Sequence, residues 1–293
     1  DTRMARSIAR RTWRFFETFV GDDSNWLPPD NFQEDPQPKV AHRTSPTNIG
    51  LYLLSTISAY DLGYIGILEL IERLGFTFAT LEKLEKIRGH YFNWYDTQSL
   101  APLSPRYIST VDSGNLAGHL LAVKQAVTEI AGQKLFGSDV IDGLSDTVEL
   151  IREEAKQFNI ASKRTEAVTV KQFQAEIGTC VRLLESGPRD TPGDWVNLFD
   201  SLITHAVAIG DIIGVLLQEH GEEDFHELRS WSNDLSHQTR RYRQEISTLI
   251  PWQERDISHL SEIIAPHYPA ARQELGKIAD LLKSIPSLSE LPE

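Results

Sequence analysis

A chain of 293 residues exceeds the usual size of one domain but stays within reach of a single large one, and it can bury about three quarters of its unfolded surface without covalent staples. Its net charge of −13, from 29 Lys and Arg against 42 Asp and Glu with no basic block, argues against nucleic acid as a partner. The single cysteine, Cys180, excludes an intrachain disulfide and fits a reducing compartment.

Taken in chain order, nearly every periodic segment is helical. The first spans about 3–20: RMARSIARR (3–11) supplies a basic face expected to be solvated, opposite Ile8, Trp13, Phe16 and Phe19. Residues 21–45 form a long irregular loop. Helices follow at about 46–60, where Ile49, Leu53 and Ile57 recur at helical spacing, and at 64–74 and 77–89. A second long loop, 89–111, leads into a helix over 112–131 carrying Leu116, Leu120 and Val123. The remaining helices are placed at 138–158, 165–186, 194–219, 222–249 and, with breaks, 253–284, joined by shorter connectors. Alternating strand patterns are almost absent, so the chain reads as all-α. Its organisation reads as 1–131, with long aromatic loops, followed by 132–293, an antiparallel helical bundle in which Leu183, Leu202, Ile209, Ile213 and Leu235 should be buried.

The longest apolar run, ITHAVAIGDIIGVLL (203–217), is interrupted by Asp211 and reads as too short to span a bilayer. No signal-peptide core is visible. The chain opens Asp-Thr-Arg with its methionine fourth, which suggests a piece excised from something longer. Cys180 stands with Ile177, Val181 and Leu184 on an apolar helix face and reads as a core residue. Glu222, Glu223 and Asp224 read as the acidic first turn of a helix.

Function is to be sought in the two loops. Structureless loops of this length in a compact protein are usually functional or disordered. These carry Trp26, Phe32, Tyr91, Phe92, Trp94, Tyr95 and Tyr107, whereas disordered segments are poor in aromatics, so they should be ordered. A sugar offers flat C–H faces edged by hydroxyls; its site needs aromatic faces for stacking and amide, carboxylate, Arg or His groups for the hydroxyls. Trp94 and Tyr95 with His90, Asn93 and Asp96 provide that set. His42, Arg43 and Asn48 add donors, and Asp112 and Asn115 stand at the next helix start. The competing reading has the aromatics filling a core while Asp96 and Asp112 cap helices.

Other chemistries find little support. Val-Asp-Ser-Gly (111–114) resembles an aspartic-protease motif but lacks a β-rich setting and a second copy. The nine histidines include no H-E-x-x-H, and no phosphate-cradling glycine loop occurs, so no metal and no cofactor are expected.

The strings RRTWRFFETFV (10–20), NWLPPDNFQEDPQPKVAHRTSPTNIGLYLLS (25–55), DLGYI (61–65), GHYFNWYDTQSLAPLSPRYISTVDSGNLAGHLL (89–121) and DWVNLF (194–199) resemble the central region of cyclic β-1,2-glucan synthases. The resemblance is specific over about 10–121 and weaker over 122–293. It implies an (α/α)6-barrel-type glycosidase module that closes linear β-1,2-glucan into a ring, within a large protein of the bacterial inner membrane, with this segment on the cytoplasmic side and out of direct membrane contact. It further implies Trp94, Tyr95 and Asp96 on a loop at the barrel mouth, near His90. Asp112, Ser113 and Asn115 would start an inner helix, and Arg43 and Thr44 would come from the preceding one. The partners implied are a β-1,2-glucan chain and other domains of the parent. The family's later strings that carry candidate catalytic glutamates do not occur here, so the chain is expected to hold part of the barrel, plus a helical insertion, without the catalytic acids. Two alternatives stand: a non-catalytic helical interaction module, and a complete glycosidase using Asp96 and Asp112 as its carboxylate pair.

Overall fold

The structure, a computed structural model, describes residues 2–157, 164–187, 189–220, 225–254, 277 and 284–291. It is all-α: among the described residues there are eight α-helices and three two-residue antiparallel ladders. Two compact units divide at residue 133.

In the first unit, α1 (Thr2–Phe19) buries Trp13 and sets Phe16 against Tyr52 of α2, ring centroids 5.3 Å apart. The basic stretch, expected to be solvated, is only partly so. Arg10 is 0% exposed, bonded to Glu17 at 2.7 Å with its guanidinium 5.5 Å from the Tyr64 ring centroid. The cause is spacing: residues 10, 13 and 17 share one helix face, whereas Ile8 lies about 140° round from Trp13 and is 54% exposed.

Helix α2 (Pro46–Asp61) starts where Ser45 accepts a hydrogen bond from the Asn48 amide at 3.1 Å, with Pro46 in the first turn. Helix α3 (Ile67–Lys83) is continuous where two helices are predicted. Gly75 costs helix stability but does not break it. The turns on either side are held by the buried Arg73–Glu69 pair at 2.8 Å and by Thr77, whose hydroxyl donates to the Arg73 carbonyl. After α3 the chain leaves helical geometry: β4 (Lys86–Ile87) and β5 (His90–Tyr91) form a hairpin whose two turn residues, Arg88 and Gly89, have φ of 51° and 83°. Positive φ at both positions is what a tight right-twisted hairpin requires.

Helix α4 (Thr110–Ile130) runs beside α2 in the same direction. Thr47 meets Asp112 and Asn115 near both helix starts, Gly50 sits under the His119 ring, and Asp61 feels the charge of Glu129 near both ends. In chain order α3 comes between them and makes the return pass, ending near Glu85 beside Tyr95, which pairs with Thr44 just before α2.

Among the described residues of the second unit, α5 (Ser138–Gln157), α6 (Arg164–Glu185), α7 (Pro192–His220) and α8 (His226–Leu249) form a four-helix bundle, in which α5 packs on α6 and α8, and α7 on α6 and α8. Asp200 pairs with Arg243 while Gly210 lies beside Ser232, so α7 and α8 are antiparallel. Leu202, Ile209, Ile213 and Leu235 are buried; Leu183 is only partly so, and Leu184 takes the core position beside it. Phe136, Trp195, Phe199 and Tyr242 form an aromatic cluster, with Phe199 stacked on Tyr242 at 5.5 Å. Cys180 is buried in the core, and burial pushes its thiol up to about 12. The run read as too short for a bilayer is part of a 29-residue helix, and Pro192–Gln218 is long and apolar enough by length and composition to cross one. Here one stripe of it, including Ala206, Ile209 and Ile213, is buried within the bundle. The predicted 253–284 helix and Glu222, Glu223 and Asp224 lie almost wholly outside the described residues; α8 begins at His226.

Candidate functional site

The two aromatic loops are stitched together by backbone bonds. Strand β3 (Arg43–Thr44) pairs antiparallel with β6 (Tyr95–Asp96), and a third small ladder joins β1 (Phe32–Gln33) to β2 (Lys39–Val40). The Thr97 amide donates to the His42 carbonyl at 3.1 Å, and the Asn25 amide group donates to the Thr97 and Gln98 carbonyls at 2.9 Å. Both loops are therefore ordered, and both end beside the first turns of α2 and α4.

There the polar side chains converge. Arg43 donates from Nε and Nη2 to Asp30 Oδ2 at 3.1 and 2.8 Å, and its guanidinium lies 5.0 Å from the Trp94 ring centroid. Asn48 donates to the other Asp30 oxygen at 3.2 Å. Asp112 Oδ1 accepts from the Thr47 hydroxyl at 2.7 Å, and that hydroxyl accepts from Asn115 at 3.1 Å. With the Asn93 amide turned so that donors face acceptors, its nitrogen donates to Asp112 Oδ2 at 2.8 Å. Its oxygen then accepts from Trp94 Nε1 at 2.8 Å and from the Tyr107 hydroxyl at 2.7 Å. Arg43, Trp94, Asp112 and Asn115 thus belong to one connected constellation.

The other predicted residues have different surroundings. Asp96 faces Arg43 across the β3–β6 ladder, but its Oδ1 closes a turn, accepting from the Ser99 amide at 2.7 Å, the Ser99 hydroxyl at 2.9 Å and the Gln98 amide at 3.0 Å. Chiefly through the Ser99 amide, these bonds hold its carboxyl below the usual carboxylate range. Tyr95 is 0% exposed; its hydroxyl donates to the Glu85 carbonyl and accepts from the Phe92 amide, each at 2.7 Å, and burial pushes it up to about 12. Its ring offers no stacking face in this structure. Thr44 is likewise buried behind the ladder. His90 and Ser113 lie apart from the constellation, in an open groove of about 520 Å³ between the β4–β5 hairpin and the start of α4, lined also by Tyr91, Ile108 and Leu120. The Ser113 hydroxyl is covered and has no hydrogen-bond partner among the described residues.

Asp112 does not cap α4: Ser109 does, accepting from the Asp112 amide at 3.2 Å, which frees the Asp112 carboxylate to reach Thr47 and Asn93. Asp30 and Thr47 are absent from the sequence-based expectations, and Tyr107 appears there only as a loop aromatic. Asp30 follows two prolines and resembles a turn residue, and Thr47 resembles an ordinary first-turn residue of α2; only the approach of α4 makes them partners. Among the described residues no group of three or more His, Cys, Asp or Glu could hold a metal ion.

These features define an all-α protein with an amide, carboxylate and indole constellation where two ordered loops meet a parallel helix pair. No family model matches the chain. Cyclic beta-(1,2)-glucan synthase NdvB of Rhizobium meliloti (strain 1021) is 55% identical to it over 149 residues, 50% of this chain and 5% of that protein. The resemblance to cyclic β-1,2-glucan synthases visible in the sequence is therefore real over half of the chain, and the match spans a small part of the relative's length.

Proposed function

We propose that the chain is a segment of a cyclic β-1,2-glucan synthase and that residues 1–131 contribute glucan-binding surface to the domain that closes the glucan ring. The observation that carries this reading is the meeting of Trp94, Arg43 and Asp112, from two loops and a helix start, around Asn93. An indole face edged by guanidinium, amide and carboxylate groups suits a sugar ring with its hydroxyls. The parallel α2 and α4 with α3 returning between them support an (α/α)6-barrel type of architecture, and residues 132–293 form a helical accessory subdomain in this reading. The parent acts at the bacterial inner membrane, with this segment on the cytoplasmic side.

The catalytic carboxylates lie elsewhere in the parent. Retaining glycoside chemistry needs one carboxyl kept protonated beside one kept ionised. Asp96 is pushed the wrong way for a general acid by its Ser99 contacts, and both Asp112 oxygens are occupied by Thr47 and Asn93. A titration of the chain with linear β-1,2-glucan, followed by tryptophan fluorescence and repeated on Trp94→Ala, tests the binding. A shift lost in the variant is expected; no shift in the unsubstituted chain refutes it. Overnight incubation and mass analysis should give no shortened or cyclic glucan. Products that vanish in Asp112→Asn would make the chain an enzyme by itself.

A second reading, a non-catalytic module that packs against other domains of the parent, is favoured by the exposed Ile71, Phe76, Phe78, Val111 and Leu121 of the first unit. It predicts no glucan response in the same titration.

A further inference from the structure

We infer that Asn93 and Asp112 form a positioning pair that holds the Trp94 indole in place by tying it to the first turns of α4 and α2. This deepens the proposed function, because it rests on Trp94 being the residue that faces the glucan. The assignment follows from donor and acceptor inventory. Position 93 is 6% exposed and meets three neighbours: the indole N–H of Trp94 and the hydroxyl of Tyr107 on one side, and Asp112 Oδ2 on the other. The indole N–H can only donate and needs an acceptor, whereas the Tyr107 hydroxyl can serve either way. An ionised carboxylate only accepts and needs a donor. An amide side chain has both ends, and the opposite amide orientation would point nitrogen at the indole N–H and oxygen at the carboxylate. Asp112 is itself anchored, since its backbone amide donates to Ser109 Oγ and its other oxygen accepts from Thr47. A contact chain thus runs from the indole edge through two side chains into both parallel helices. Arg43 covers part of the same indole but is half-exposed and engaged with Asp30, so it does not fix the ring edge.

The pair can be inverted without losing a bond. In N93D/D112N the new carboxylate at 93 accepts from Trp94, from Tyr107 and from the new amide at 112, whose oxygen accepts from Thr47. The single variant N93D instead sets two carboxylates face to face at a 2.8 Å contact. Such a pair is relieved by taking up one proton, because like charges this close raise one carboxyl well above its usual range. The experiment is an indole ¹H–¹⁵N NMR spectrum of the full chain without ligand, the Trp94 signal being assigned with Trp94→Phe, together with exchange of that indole proton with solvent. The expected result is a displaced Trp94 signal in N93D at about pH 8, with exchange faster by roughly tenfold, the equilibrium factor of about one net hydrogen bond. The signal returns toward the wild-type position near pH 5 as the pair takes up its proton. In N93D/D112N it stays at the wild-type position throughout. Should N93D not fold, the inverted pair alone decides. A folded double variant with a wild-type indole signal supports the inference. A displaced signal, or failure of the double variant to fold, overturns it, as does an unchanged signal in N93D. Glucan titration of the wild type is read separately. Its failure with the indole pattern intact removes the proposed function and leaves the positioning pair standing.

Discussion

The two units are ordered by different means. In the described residues of 134–293 the interior is mainly apolar: Leu202, Ile209, Ile213, Leu235 and the Phe136–Trp195–Phe199–Tyr242 cluster fill it, Thr147 donates to a buried Gln238, Glu154 and Glu245 are also buried, and the pairs Asp200–Arg243 and Glu149–Arg152 lie toward its surface. In residues 1–133 charges and amides go inside. Arg10 and Glu17, Arg73 and Glu69, and Asn93 and Asp112 are joined within it, while Ile71, Phe76, Phe78, Val111 and Leu121 stay exposed. A bundle closes its core by periodicity alone, because every helix brings its own apolar stripe. Long loops have no such period and must be ordered bond by bond.

The largest test of this contrast lies in the bundle. Phe199→Ala empties a fully buried position stacked on Tyr242 and should cost about 3–5 kcal/mol, read by urea denaturation. If the units differ as described, the Trp94 indole signal should not move under native conditions. Next comes the helix pair of the first unit. A methyl at Gly50 would collide with the His119 ring, so Gly50→Ala should cost about 1–3 kcal/mol through forced displacement and should move the Trp94 signal. A neutral result there would mean that α2 and α4 do not approach as closely as the structure has them. Removing the cap of α4 with Ser109→Ala should cost about 1 kcal/mol and loosen Asp112, its hydrogen-bonded amide. The matching readout is the Trp94 signal together with a urea midpoint.

Smaller still is a pH effect. Asp96 has a folded-state value below its unfolded one, mainly because of the Ser99 amide. Its stabilisation is thus fully present above the unfolded value of about 3.9 and is lost as pH falls through the folded value. Asp96→Ala should be less stable than wild type at about pH 6, and the two should converge as the carboxyl is protonated. A gap that persists in strong acid would assign the loss to packing. Least of all should change at Cys180, whose thiol is pushed up to about 12 by burial: at about pH 8 thiol reagents should leave it unlabelled until the chain is unfolded.

Much of this was legible without coordinates. Helical periodicity placed α1, α2 and α4 to α8 within a few residues, and the aromatic content of 21–45 and 89–111 marked both loops as ordered. The misreadings have local causes. The break expected between 74 and 77 falls at Gly75, which contacts of Arg73, Glu69 and Thr77 bridge, and the helix expected to reach 89 ends earlier because Arg88 and Gly89 turn a hairpin. Tyr95 and Trp94 are neighbours in sequence with the same aromatic character, yet they alternate sides at the β6 ladder, so one is buried and the other reaches the constellation.

Residue type and short-range spacing are enough to mark most of the helices, the apolar faces of the bundle and the resemblance of the chain. Packing alone brings Asn93 opposite Asp112, draws Thr47 and Asp30 into the constellation and lets Asp96 close a turn. The physical reason is that hydrogen bonds reach about 3 Å and are directional. Their partners come from residues tens of positions apart, and nothing in a linear spacing records which of many possible donors and acceptors the packing of α2 on α4 brings into line.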